Sequence, residues 1–451
     1  VQEFPLSIAV NRLYRFAPNG DPMTAAIAMT VPNPTQQPLA GARVAVVVLG
    51  DLGRSPRMLH HTGALLHAGA SVDLIGYGGA PLPAELAAHA GLSLHHLPAP
   101  GLTARHKLPR AAFLAYGAMR GAAVSARLAV LLRRLPKPSL VLVQNPPALP
   151  TLAVVPPLAR WRGAPLVIDW HNFTCTQLGL TVGPEHAAVR AARAVERRLA
   201  AGATAHLCVS AAMRETLAAS WGIADAQVLR DRPRAFLAAE QRAAARARLA
   251  SLLDIQLDAT PRPALLISPT SWSADEDSDL LLDALGRLEA TLDGDALRLV
   301  CLLTGDGPRR AGFEAAVASR TWRRIAVRTT WLAPNDYPGL LAGADLGLCL
   351  HRSTSGVDLP MKIADLHGAG VPVCAFDYGP CLGEMLSAAE TAIGFTQAAG
   401  LASRLRSLLQ ALAQMGNLDA LRDAVAALPR RTWEEGWCDE ALPLFTALVR
   451  R

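Results

Sequence analysis

Val44-Ala-Val-Val-Val-Leu49 runs straight into Gly50-Asp51-Leu52-Gly53-Arg54-Ser55-Pro56-Arg57. The first stretch is apolar without polar alternation, which suits a parallel strand covered on both faces. The second is a glycine-punctuated turn with proline at the start of a helical pattern. Strand, tight turn and helix in that order are the opening of a βαβ unit. Glycines let the backbone approach a ligand, and a helix N-terminus attracts anions. Asp51 stands where a general base is useful, and Arg54 and Arg57 are placed to reach a phosphate. The same residues also read as a strand-to-helix turn with an aspartate cap. The pattern is not GxGxxG, so dinucleotide binding is not indicated.

The same rhythm continues outward. Apolar runs follow at 139–144, 166–169 and 206–210, separated by Ala- and Arg-rich helical segments such as 54–68 and 186–202. The rhythm breaks over 230–262, which ends in Thr260-Pro-Arg-Pro263, and then resumes with runs at 264–268, 299–304, 325–330, 346–350 and 371–376. This predicts two successive parallel-sheet α/β domains: a poorly ordered lead-in over 1–40, a first domain over 41–235, a linker over 236–262 and a second domain over 263–430. A C-terminal helix over 431–451 is expected to cross back onto the first lobe. In open parallel sheets ligands bind beyond the carboxyl ends of the strands, so two facing sheets define one cleft.

At 451 residues, with 51% hydrophobic and 18% charged residues, the chain can bury two cores and is not disordered. The net charge of +7 favours anionic partners such as nucleotides, phosphates or an acidic membrane surface. No basic stripe is interleaved with aromatics, so nucleic acid is not expected as a partner. The seven cysteines form no CxxC pair and sit mostly in apolar runs, which reads as buried free thiols. No stretch reaches the ~18 apolar residues of a membrane span, and Met23–Val31 is too short.

The motifs after strands carry the chemistry. Gln144-Asn145-Pro146-Pro147 offers amides suited to sugar hydroxyls, or a rigid turn. Asp169-Trp170-His171-Asn172 gathers a sugar-stacking indole and a proton-exchanging imidazole at one strand end. Asp231-Arg232-Pro233 closes the first lobe, and Gly305-Asp-Gly307-Pro308 and Trp331-Leu332 follow strands of the second. The strongest segment runs from His351 to Asp365: Ser353, Ser355 and Gly356, then Asp358 and Pro360, with Lys362 in the first helical turn and Asp365 one turn on. Hydroxyls, glycine and a helix start form an anion site in which Lys362 neutralises a diphosphate and Asp365 holds a ribose. Glu384 is expected to point toward the same cleft. Asp277-Ser-Asp279 superficially resembles a metal-binding DxD but runs into an apolar helix, so it reads as a cap and no metal site is predicted.

Taken together, Gly50–Met58, Gln144–Thr151, Ile168–Asn172, Asp231–Pro233, Ser271–Asp277, Ser355–Lys362 and Gly370–Cys374 resemble the chitobiosyl-diphosphodolichol β-mannosyltransferases, in that family's order over about 43–385. The resemblance implies the GT-B fold, GDP-mannose as donor and a polyprenyl-diphosphate-linked GlcNAc disaccharide as acceptor. It also implies a β-1,4 product formed with inversion. Related retaining enzymes carry two glutamates eight positions apart, where this sequence has Ser355 and Ile363. The candidates are Asp51 for the base with His171 as rival, and Lys362 for the departing diphosphate. Arg232, Trp331, Ser355, Gly356, Asp358, Asp365 and Glu384 are candidates for the donor. Gly53, Arg54, Arg57, Asn145, Trp170 and Asn172 are candidates for the acceptor.

The eukaryotic members carry an N-terminal membrane helix that this sequence does not show, and 173–176 reads Phe-Thr-Cys-Thr, a looser match. The expected setting is the cytosolic side of a membrane, with other glycosyltransferases as potential partners. Two further readings stay open. One is a bacterial GT-B transferase for another lipid-linked glycan or exopolysaccharide. The other is an inactive scaffold that binds nucleotide sugar.

Overall fold

The computed structural model describes residues 37–98, 110–333, 336–386, 392–415 and 418–450. Most of the expected lead-in, including Met23–Val31, lies outside them. Residues 38–41 form a turn in which Leu39 is buried and its N–H donates to Ala68 O.

The first sheet is built from β1 (Arg43–Asp51), β2 (Ser71–Tyr77), β3 (Leu92–Leu97), β4 (Leu140–Asn145), β5 (Leu166–Trp170), β6 (Ala205–Cys208) and β7 (Gln227–Val228). Its order is β3-β2-β1-β4-β5-β6-β7, and every pairing is parallel. The second sheet contains β8 (Ala264–Pro269), β9 (Leu299–Thr304), β10 (Ile325–Thr330), β11 (Leu346–Cys349), β12 (Val373–Phe376) and β13 (Ala392–Phe395). Its order, β10-β9-β8-β11-β12-β13, repeats the topology. Each sheet therefore has one point where strand order reverses, between β1 and β4 and between β8 and β11. A crevice opens there beyond the strand ends. The loops after β1, β4, β8 and β11 hold four of the sequence motifs.

β2 and β3 escaped the sequence reading because Ser71, Asp73 and Gly76 interrupt the first, and Ser93, His95 and His96 the second. Asp73 is nevertheless buried, since Arg43 donates two hydrogen bonds to it at 2.6 and 2.7 Å.

The expected linker 236–262 is part of the second domain. The helix Gln241–Leu253 buries Ala245 and Leu249 in the core shared with Leu265, Ile267 and Leu341. Arg246 there bonds Asp345 at 2.9 Å and the carbonyls of Leu257 and Pro263.

The C-terminal segment forms two helices, Trp433–Glu440 and Leu442–Val449, with Pro443 in the first turn of the second. Thr432 and Glu435 form a reciprocal capping box at the start of the first. Trp433, Trp437, Phe445 and Leu448 are buried against the β1 side of the first lobe, with Met58 and Leu65 of the helix Pro56–His67. The opposite face of that sheet is covered by the helices Arg110–Arg134, Thr151–Trp161 and Ala187–Ala200. Among the described residues no helix is long and apolar enough to cross a membrane.

Candidate active site

On the first lobe, the end of β5 builds a buried charge network. Arg57 grips Asp169 with two hydrogen bonds of 2.8 Å and donates to Asp231 at 2.8 Å and to Leu229 O at 3.0 Å. Burial works against the guanidinium charge, but Asp169 and Asp231 overcome it and its pKa is raised. Burial likewise pushes the Asp169 carboxyl up, while Arg57 and His171 hold it well below the usual range. Asp169 Oδ2 also faces His171 Nε2 at 2.8 Å and His61 Nε2 at 3.2 Å. Trp437 Nε1 donates to His61 Nδ1 at 3.0 Å, so a neutral His61 carries its proton on Nε2 and donates it to Asp169. Burial lowers the His61 pKa and keeps the ring neutral.

His171 is the member that reaches solvent, with a side chain 22% exposed while that of Asp169 is 0%. With Nε2–H held by the carboxylate, Nδ1 presents its lone pair. A carboxylate-oriented imidazole at a strand end is a general-base arrangement.

Asp51 is differently occupied. Its Oδ1 accepts the Gly53 N–H at 3.0 Å, and both oxygens accept the Ala80 N–H at 3.1 and 3.2 Å. It ties the turn after β1 to the loop after β2. Gly53 is required by the same contact, because an added Cβ would stand 2.3 Å from Ala80 O.

The other first-lobe candidates separate by burial. Trp170 is fully buried, donates to His206 Nδ1 at 3.1 Å and packs on Phe173 and Trp221, so its ring face is taken by the core. Arg57, buried in its ion pairs, does not face the cleft. Asn145 is buried and donates to Glu196 at 2.8 Å, while Asn172 Oδ1 accepts the Phe173 N–H at 2.7 Å. These four corrections share one cause: a polar or aromatic residue at a strand end can be consumed by the first layer of packing. Arg54 is exposed and reaches across to the second lobe. It lies within 3.5 Å of Asp306 and 5.8 Å from the centre of the Trp331 ring, which is 45% exposed.

On the second lobe, the loops after β8 and β11 are tied together. Glu276 and His351 form a bridge between them. The His351 ring lies between Asp275 at 3.1 Å and Asp358 at 2.7 Å. Burial pulls this imidazole down, but the two carboxylates prevail and raise it to about 9. Asp358 also accepts from the Ser353 and Ser355 hydroxyls, and Gly356, at φ +74°, donates its N–H to Ser353 Oγ at 2.7 Å. Asp358 is therefore the internal clamp of the loop, where the sequence suggested a donor contact. Lys362, in the first turn of the helix Met361–Gly368, pairs with Glu276. Burial lowers its ammonium to about 8 against the fields of Asp275 and Asp365, leaving it a cation at neutral pH. Glu276 is anchored by the N–H groups of Ser271 and Trp272 at 2.7 and 2.9 Å.

The His351 clamp makes a pH prediction. Its folded pKa exceeds the unfolded value of 6.5, so its stabilisation is complete below about 6.5 and is lost as pH rises through about 9. Thermal unfolding between pH 6 and 9.5 should show a falling Tm that flattens in His351→Gln. An unchanged slope in that variant would show that the clamp does not contribute.

Asp365 accepts from the Tyr337 hydroxyl at 3.2 Å, and burial raises its carboxyl to about 6. It lines a cavity of about 380 Å³ between the lobes, with Leu59, His60, Pro233, Tyr337 and Met361 among its walls. Asp277 accepts the Leu280 N–H at 2.9 Å as a helix cap, and Asp279 pairs with Arg309 at 2.8 Å. Two donor candidates are engaged elsewhere. Arg232 bonds Glu440 of the C-terminal helix, and Glu384 accepts the N–H groups of Ala211 and Ala212 at 2.9 Å and Arg230 at 2.8 Å. Glu384 thus joins the second lobe to a helix start of the first. Thr176 and Thr354 hydroxyls, 2.9 Å apart, bring the helix Thr174–Val182 that follows β5 against the loop after β11. His171 lies five residues before this contact, and Ser355 directly follows Thr354.

Residues 53–231 match a family described as "Glycosyl transferase 4-like domain". A chitobiosyldiphosphodolichol beta-mannosyltransferase of Pongo abelii is 36% identical over 438 residues, covering 89% of this chain and 92% of that protein. The chain belongs to this family. The chain is also similar to a protein of Arabidopsis thaliana called UDP-glycosyltransferase TURAN, at 34% identity over 90% of this chain and 98% of that protein. In structure, the chain is similar to WaaG, a glycosyltransferase involved in lipopolysaccharide biosynthesis. That likeness has a TM-score of 0.59 at 15% identity, over 88% of this chain and 98% of that one. It shows the GT-B fold, two parallel-sheet domains facing across a cleft. A glycosyltransferase is therefore the class to which this β-mannosyltransferase family member belongs.

His61, Asp275 and Glu276 were not singled out in the sequence, and His351 was named only as the start of the strongest segment. Asp275 and Glu276 lie inside Ser271–Asp277, a matching stretch in which only Asp277 was given a role, as a helix cap. His61 gave no signal, because its partners Asp169 and Trp437 are 108 and 376 positions away.

Proposed function

We propose that the protein transfers mannose from GDP-mannose to a polyprenyl-diphosphate-linked GlcNAc disaccharide, forming a β-1,4 bond with inversion. The observation that carries the chemistry is the Asp169–His171 pair, set across the Thr176–Thr354 contact from Lys362 and Ser355. His171 Nδ1 takes the proton of the acceptor hydroxyl, whose oxygen attacks the anomeric carbon. The carbon–oxygen bond to the diphosphate breaks, and GDP leaves. Lys362 and the loop N–H groups offset its developing charge. Ile363, fully buried, stands where a retaining relative has its second glutamate, so no carboxylate is offered there. The nucleoside extends from the Lys362 end into the cavity, with Asp365 accepting from ribose hydroxyls. Arg54, exposed at the rim, meets the acceptor diphosphate. The name of the Arabidopsis relative makes the base of the donor a point to test directly.

The assay offers GDP-mannose and UDP-sugars, with and without EDTA, to a short-lipid diphosphate carrying the GlcNAc disaccharide. A β-linked mannose product formed from GDP-mannose alone supports the reading. Use of a UDP-sugar or another acceptor would move the exopolysaccharide reading to first place, and no turnover with any donor would favour a binding scaffold. Asp51→Asn in this assay should reduce kcat by less than about tenfold, because Asp51 holds a turn and His171 is the base.

A further inference from the structure

The positive charge of the chain is concentrated in one place. Between residues 119 and 200 stand eleven arginines and lysines against three acids, an excess larger than the +7 of the whole chain. Two of those acids, Asp169 and Glu196, are buried and satisfied internally. The bases decorate the outer side of the helix layer 110–134, 151–161 and 187–200, which packs on the sheet face opposite the C-terminal helices. Arg133, Arg134, Lys137, Arg160, Arg197 and Arg198 are exposed, and among the described residues none is in an ion pair.

Large apolar side chains are exposed among them: Trp161 at 65%, Met119 at 62% and Val130 at 46%. Arg133 lies 5.3 Å over the Trp161 ring, which places the indole among the bases. Toward the cleft the apolar exposure continues with Leu149, after β4, and Leu180, in the helix that follows β5, both 54% exposed.

We propose that this outer face of the helix layer docks the protein on an anionic phospholipid bilayer. Arginines attract the headgroup phosphates, each contributing a comparable increment near a negatively charged surface. Indole, thioether and aliphatic side chains between them partition into the headgroup and acyl boundary, as on an interfacial amphipathic surface. A nucleic acid would use bases alone or bases with stacking aromatics; aliphatic side chains add nothing to that contact. With this face on the membrane, Leu149 and Leu180 carry the contact to the rim of the cleft, where a lipid-linked acceptor enters. That last orientation rests on the proposed function; the docking itself does not.

The experiment is sedimentation of the full chain with sucrose-loaded vesicles of phosphatidylcholine alone or with about one third phosphatidylserine, with no acceptor present. The expected result is capture by the anionic vesicles only. The combined variant Arg133→Glu, Arg134→Glu, Arg160→Glu should lose more than about tenfold in binding, and Trp161→Ser should lose less but measurably. These side chains are exposed, and circular dichroism confirms that the variants fold. Equal capture of wild type and charge-reversed protein would overturn the proposal. So would retention on heparin without capture by vesicles. Turnover separates this from the transferase reading. The charge-reversed protein should match wild type on a detergent-free, short-lipid acceptor and fall behind on an acceptor embedded in vesicles. Loss on both would mean that the face serves the catalytic fold and not docking.

Discussion

Replacing His171 by alanine is expected to lower kcat by about 10²–10⁴, the range of a positioned general base, with little change in KM for the donor. The argument is geometric. Asp169 is pinned by Arg57 and His61 and so presents its Oδ2 to His171 Nε2 at 2.8 Å in a fixed direction. The imidazole then has one orientation and one tautomer, with Nε2–H on Asp169 and the lone pair on Nδ1. The split between kinetic constants carries the diagnosis: a kcat loss at unchanged donor KM marks an interaction made only in the transition state. If His171→Ala kept its rate and Asp51→Asn abolished it, Asp51 would be the base and the dyad a packing device.

Replacing Arg57 by methionine is expected to cost about 3–5 kcal/mol, read as a lower midpoint in urea or guanidinium unfolding. The side chain fits the space, but Asp169 and Asp231, both buried, lose their cation. An uncompensated buried carboxylate is far more costly than a well-made pair is favourable. Removing charge on both sides, as in Arg57→Met with Asp169→Asn, should recover part of the loss while leaving activity low. A single variant as stable as wild type would mean that water already screens the network.

The two predictions bear on residues that the sequence treated alike. Arg57 and His171 both stand in turns after strands, in a mixture of charge, aromatic and amide. His171 drew attention because imidazole beside aspartate is uncommon in a plain loop. Arg57 was placed at the acceptor because a helix start with arginines resembles a phosphate site. What distinguishes them is burial: at the second position of the helix Pro56–His67, Arg57 points at the C-terminal helices, stacking 5.3 Å over Trp433. Sequence spacing reports which residues share an element, and carries no information on which other element covers it.

The second lobe gives the same lesson with the opposite sign. The hydroxyl-glycine-proline run before Lys362 marked the segment on local grounds alone. Its partners did not show, since Asp275 and Glu276 lie in a loop some 76 to 86 positions earlier and meet it only because β8 and β11 are neighbours.

The sequence by itself determined the two-domain parallel architecture, the five strands of the second lobe from 264 to 376, and the family. Each of these is written in local pattern: continuous apolar runs, helical spacing, and motifs in a fixed order. Only the tertiary structure decided that Asp51 holds a turn, that Trp170 belongs to the core, that Glu384 and Arg232 join distant elements, and that the C-terminal helices bear on Asp169 through His61. The physical reason is that a polar side chain's role depends on whether burial forces it to find a protein partner. That partner is chosen by strand order and by the layer packed above it, neither of which leaves a periodic trace in the chain.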